Sequence, residues 1–335
     1  MFRRAPLLAV ALLWLPALAA AEPTAQVRQK LYVTNSAGDD VTVIDLATNK
    51  PITAIKVGLH PHGVATPADQ SFLLVTVEGT DPGQLVWIDP ATDKITRRMD
   101  VGPEPNQLAV TPDGKIAYVP VKDGNWQVID LEKGKIIEQI FVGGRPHNTV
   151  CSPDGKHMYL APMGDVKKVI IADTTTHKPV GQIAFSSVVR PIALTKDEKR
   201  LFAEVDGLVG FEIADVAERK MIERVNDELT DDEKTVASRS HGIGVRPDQR
   251  ELWECDVEHH EVHVYDLTGD KPKQTTTIPM GAAVYWLTFS PDGKLCYVAV
   301  RGHDEVAVVD TATKKVLDRV PVGKEPKRLL VLTLK

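Results

Sequence analysis

The chain has 335 residues, 43% apolar and 26% charged, the balance of a globular protein. It is too long for a small disulfide-stapled scaffold, and its three cysteines are an odd number. A net charge of −6 excludes nucleic acid as a general electrostatic partner, since duplex binding needs a basic stripe.

At the N-terminus, Arg3 and Arg4 precede an apolar run from Ala5 to Leu18, and Ala19-Ala20-Ala21 puts small residues ahead of Glu22. A charged start, a short apolar centre and a small-residue end predict a cleavable export signal over 1–21. The protein is therefore expected to be periplasmic or secreted, with one domain over 22–335. The run is short and broken by Pro6 and Pro16, which disfavours a membrane span, and no later stretch approaches the ~18 apolar residues a span needs. Export permits disulfides, yet three cysteines cannot all pair internally. Cys151 and Cys296 fall in apolar positions and read as buried thiols.

From residue 30 onward one phrase recurs. It runs Val-Gly, two residues, Pro, an apolar run, a Ser/Thr-Pro-Asp-Gly turn, Lys-x-x-Tyr-Val, then Val-x-Val-Ile-Asp. Its Pro position falls at Pro61, Pro105, Pro146, Pro191, Ser240, Tyr285 and Pro326, at spacings of 44, 41, 45, 49, 45 and 41 residues. Segments such as VTVID and VAVVD alternate apolar and polar residues and are rich in β-branched side chains, the signature of strands. In turns such as Ser152-Pro153-Asp154-Gly155, Pro presets φ, Asp bonds its local backbone and Gly accepts positive φ. Four short strands per unit predict an all-β protein, a seven-bladed β-propeller with four antiparallel strands per blade. Three strands precede Pro61 (KLYVT, VTVIDL, PITAIKVG) and one follows Pro326 (KRLLVLTL). The ring is thus expected to close by pairing N- and C-terminal strands within one blade, leaving no open edge.

In LYVTNSAGDDVTVIDLATNK (31–50), in YVAVRGHDEVAVVDTATKK (297–315) and in its Ser-Pro-Asp-Gly turns, the chain resembles the YVTN family of bacterial β-propeller repeats. The resemblance spans essentially all of 30–335 and implies the fold. Relatives in that group include surface-layer and periplasmic proteins, companions of quinone-dependent dehydrogenases, lactonase-type enzymes and haem d1-binding propellers. Such a fold hosts unrelated activities, so function has to be read from a site.

The Val-Gly-x-x-Pro loops share one face with the loops between second and third strands, and there the repeats differ most. The residue after each Pro position opens the innermost strand near the channel mouth: His62, Asn106, His147, Ile192, His241, Trp286 and Lys327. Three converging imidazoles make His62, His147 and His241 candidate ligands for a divalent metal such as Zn, Fe or Cu. Arg145, Arg190 and Arg239 precede that position in three consecutive blades. They are candidate anion binders with Asn106, Trp286 and Lys327, or partners of Asp165, Glu204 and Asp206. The run Cys255 to His263 adds His259 and His260 as secondary metal candidates, with His303 in the next blade, although its spacing matches no standard finger. An acidic excursion over 226–235 lengthens one unit and is a candidate lid. C-x-x-C-H, G-x-S-x-G, P-loop and EF-hand patterns are absent.

Three functions are expected from this pattern. The first is an exported binding module, monomeric, taking a small ligand, a cofactor or an exported protein partner at the channel mouth. The second is a metal-dependent lyase, lactonase or hydrolase built on the three histidines. The third, implied by the resemblance alone, is haem d1 binding with a mouth histidine as axial ligand.

Overall fold

The computed structural model describes Met1 and residues 28–334; the rest of the 1–21 segment read as an export signal lies outside the described residues. The described chain forms seven four-stranded antiparallel sheets arranged as the blades of one propeller. Blades 1 to 6 are 61–102, 109–141, 145–184, 189–226, 240–279 and 284–321. Blade 7 takes its inner strand from Pro326–Leu334 and its other three from Arg28–Asn35, Asp40–Asp45 and Lys50–Lys56. Leu31 lies opposite Val331 and Lys30 opposite Leu332, so the expected closure of the ring is present in register.

Each blade buries both faces of its middle strands because a neighbour covers each. On the strand Arg28–Asn35, Tyr32 packs with Val43 and Leu332 against Val64, Val75 and Val86 of blade 1. The alternate residues Leu31 and Val33 pack against Tyr297, Ala299 and Val308 of blade 6. Period-two alternation thus sends successive side chains into two different interblade cores, each buried aliphatic contributing about 1.5–3 kcal/mol. Outer strands keep one wet face: in Lys220–Asn226 exposed and half-buried residues alternate.

The Ser/Thr-Pro-Asp-Gly turns form as their chemistry predicts. Ser152 Oγ donates to Asp154 Oδ1 (2.8 Å), which also accepts the Lys156 N–H (3.0 Å), and Gly155 has φ +76°. Beside these turns, strand tyrosines bond to the next blade: Tyr32 to Asp93 (2.6 Å), Tyr118 to His177 (2.7 Å) and Tyr159 to Glu198 (2.7 Å). Of the two cysteines read as buried thiols, Cys296 is buried, but Cys151 is only half-buried because its strand end meets the turn face; both are free, as is Cys255.

Candidate functional site

The inner strands do not run as unbroken ladders. In blades 1, 3, 4, 5, 6 and 7 the pairing of the first strand slips next to the Pro position. Such a bulge re-aims the side chain it releases. It occurs where His62, His147, Ile192, His241, Trp286 and Lys327 stand. Small neighbours let the strands crowd together: a Cβ on Gly63 would lie 2.7 Å from the Asn106 carbonyl oxygen, and one on Gly242 2.7 Å from Trp286 Cα.

The three predicted histidines are all buried around the channel. His147 and His241 meet edge to face with ring centroids 6.2 Å apart, and His241 stacks on Tyr285 at 3.9 Å. His62 Nδ1 bonds Glu78 Oε1, which also accepts from Asn106 Nδ2 at 3.2 Å. His62 Nε2 and His147 Nδ1 are buried without a hydrogen-bond partner. Burial, followed by nearby cations, holds all three imidazoles well below their usual pKa, so they are neutral at pH 7. Among the described residues these histidines do not form a group with ligand atoms within 4.8 Å of one another.

Lys327 and Arg328 act on all three, and Arg328 is the more deeply buried of the two. Its side chain is 1% exposed, its guanidinium carbon lies 3.4 Å from the centroid of the Trp286 ring, and Nε, Nη1 and Nη2 all lack hydrogen-bond partners. Glu204 and Glu78 are the acids whose fields reach it. Glu204 is likewise fully buried, with both carboxylate oxygens unpartnered. Lys327 lies 5.8 Å from the Tyr285 ring centre, and burial pulls its ammonium down to about 8. Arg328, Glu78 and Tyr285 were not singled out by the sequence reading. The signal for Arg328 is one column further on: the other blades have Gly63, Gln107, Asn148, Ala193, Gly242 and Leu287 there, none of them charged.

The three rim arginines are tied down, two of them to partners other than those expected. Arg190 pairs with Asp206 as anticipated. Arg145 reaches Glu104 at 3.7 Å instead of Asp165, and Arg239 reaches Glu258 at 3.3 Å, because those acids sit on the adjoining mouth loops. Asn106 donates to Glu78, the Trp286 ring lies against Arg328, and Lys327 stands near Tyr285. His259, His260 and His303 do not come together. His259 is held by Asp256 and by the Glu233 carbonyl, His260 takes a left-handed turn at φ +63°, and His303 is a half-exposed side chain 3.7 Å from Glu305.

The described architecture is similar to several solved propellers. The periplasmic gluconolactonase PpgL of Pseudomonas aeruginosa aligns over 91% of this chain and 99% of its own, with TM-score 0.74 and 17% identity. Hydrazine synthase of Kuenenia stuttgartiensis aligns over 82% of this chain and 95% of its own, with TM-score 0.69 and 20% identity. The dihydro-haem d1 dehydrogenase NirN aligns over 92% of this chain and 66% of its own, with TM-score 0.66 and 17% identity. At these identities the likeness establishes the fold alone, a seven-bladed propeller. The sequence matches no protein-family model and no curated protein. No helix among the described residues is long and apolar enough to cross a membrane.

Proposed function

We propose that the chain is an exported binding module whose channel mouth takes a small molecule carrying a carboxylate or phosphate. The observation that supports this is Arg328. A buried guanidinium with no hydrogen-bonded partner carries a desolvation penalty of several kcal/mol. A bidentate anion offsets that penalty through paired charge-assisted bonds. Lys327 adds a second charge, and the neutral His62 and His147 each keep one unpartnered ring nitrogen to fix the rest of the ligand. Tyr285 and Trp286 supply ring faces for its apolar part. Export is supported by the charge–apolar–small pattern of 1–21, and the similar PpgL is itself described as periplasmic.

The test is calorimetric titration of aldonic acids, sugar phosphates and dicarboxylates into the protein and into an Arg328→Met variant. Saturable one-to-one binding that the variant loses is the expected result. Absence of binding across the panel, or equal binding by the variant, overturns the reading.

A second reading has its own support in the unpartnered His62 Nε2 and His147 Nδ1. Here His62, His147 and His241 would hold a divalent metal that polarises an oxygen or activates water in a lyase, lactonase or hydrolase reaction. Metal analysis beside a His62→Ala, His147→Ala, His241→Ala variant separates the two. Metal that disappears with these histidines favours the enzyme.

A further inference from the structure

A second cluster, made of residues other than the three channel histidines, lies between blades 4 and 5. In blade 5, Glu254 stands directly opposite His263, and His263 opposite Thr277, across adjacent strands. Asp256 follows Glu254 by two residues, so these side chains share the face turned toward blade 4. In blade 6 the positions matching Glu254, Asp256 and His263 are Val298, Val300 and Ala307, all buried and apolar. Blade 5 has placed two acids and an imidazole where its neighbour keeps hydrocarbon. Asp227, the residue after the outer strand of blade 4 and near the start of the acidic excursion, completes the group.

The geometry is that of a ligand set. His263 Nε2 lies 3.3 Å from Asp227 Oδ2 and 3.4 Å from Asp256 Oδ2. These separations exceed the ~2.7–3.2 Å of a good N–H···O bond. They match the edge of a tetrahedron with metal–ligand bonds of about 2.0–2.2 Å, which is about 3.3–3.6 Å. Among the described residues this is the one group of His, Cys, Asp or Glu with three ligand atoms within 4.8 Å of one another.

An independent observation points the same way. Glu254 is fully buried and neither carboxylate oxygen has a hydrogen-bond partner. Asp227 Oδ2 and both Glu254 oxygens are buried without a hydrogen-bond partner, a concentration of acceptor atoms that a divalent cation offsets.

The far side of each ligand is braced, as metal ligands are. Asp227 Oδ1 accepts from Tyr265 (2.5 Å), Asp256 Oδ1 from Ser238, and His263 Nδ1 lies 3.0 Å from Thr277 Oγ1. Thr277 Oγ1 and Gln274 Nε2, each 3.0 Å from Nδ1, hold the ring with Nε2 toward the two carboxylates. His259 serves as a positioning residue, linking Asp256 Oδ2 (2.6 Å) to the Glu233 carbonyl of the excursion (2.9 Å).

We propose that Asp227, Asp256 and His263 bind a divalent transition-metal ion of the zinc or manganese class that locks the 226–235 excursion onto blade 5. The imidazole favours such an ion over calcium, which takes oxygen ligands. All three ligands are buried, so the ion is structural. It is separate from the channel histidines and does not depend on what the channel binds.

The test measures bound metal and thermal unfolding in protein purified without chelator. The expected result is one equivalent of zinc or manganese, retained in the His62→Ala, His147→Ala, His241→Ala variant. Chelation should lower Tm, and zinc or manganese but not calcium should restore it. Asp227→Asn, which keeps the volume, should weaken metal affinity at least tenfold. Asp227→Asn with His263→Ala should abolish the metal response. Wild-type protein that holds no metal in micromolar zinc or manganese and melts unchanged with chelator overturns the proposal without any variant. So does metal that leaves with the channel histidines.

Discussion

The guanidinium carbon of Arg328 sits 3.4 Å from the ring centroid of Trp286, joining the last inner strand of the ring to the blade before it. A cation over an aromatic face contributes about 0.5–2 kcal/mol. Burying an ion without a paired counter-charge costs several kcal/mol. The stack therefore offsets only part of the cost, and the remaining hydrogen-bonding capacity of Arg328 is available to a ligand.

Replacing Arg328 by Met should cut affinity for a small anion by roughly a hundredfold, about 3 kcal/mol, the loss of two charge-assisted hydrogen bonds. The same change should leave the unliganded Tm level or raise it, since it removes an uncompensated charge. Calorimetry and thermal unfolding on one preparation read both effects; a large fall in Tm would contradict the account.

Anion binding should weaken as pH rises through about 8, where buried Lys327 loses its proton. Glu78, Arg328, Arg301 and Glu325 supply the charges around it. Stability runs the opposite way. The folded ammonium titrates at about 8 and the unfolded one at its ordinary 10.5, so the unfolded chain binds more protons between these values. Lys327 then adds stability as pH climbs across that window. The channel histidines are already neutral, so affinity should stay flat between about pH 7.5 and about pH 6.5. Dissociation constants measured from about pH 6 to about pH 9.5 check the slope, and Lys327→Met should remove it.

On the opposite face, Lys30 is 1% exposed and bonds Asp93 Oδ2 (2.7 Å) and the Pro90 carbonyl (2.8 Å), while Tyr32 bonds Asp93 Oδ1. Tyr32→Phe should cost about 1 kcal/mol, one net hydrogen bond. Asp93→Ala should cost about 3–5 kcal/mol by stranding a buried ammonium. Urea midpoints at constant m distinguish them.

Cys255 and Cys296 are fully buried, and burial pushes their thiols far above the ordinary range; that of half-buried Cys151 rises to about 12. All three should resist a thiol reagent in native buffer and react promptly in denaturant. Reductant should leave Tm unchanged, because no disulfide joins them.

The repeat was legible because each blade repeats the same turn chemistry, and turns are local. The channel column was legible for the same reason: it sits a fixed distance from Pro61, Pro146 and their counterparts. Arg328 escaped because strict alternation turns one of two adjacent strand residues away from the channel, whereas the slipped pairing near Pro326 lets both Lys327 and Arg328 act on the channel histidines. In blade 5 the density of ligand-type residues was visible from Cys255 to His263, but its grouping was not. Glu254, Asp256 and His263 meet through cross-strand register, and Asp227 joins them from another blade. No spacing along the chain encodes that meeting.

The pairing of Arg28–Asn35 with Pro326–Leu334 also imposes an order of events. Gln29 and Thr333 are hydrogen-bonded across 304 positions of sequence. A chain delivered in sequence order can assemble six sheets as it arrives, yet it stays an open arc until residues 326–334 appear. Arg328 travels in that last strand, so the channel gains its central charge only when the circle shuts. On the proposed function, ligand competence and ring closure are then a single event, and an interrupted chain acquires neither.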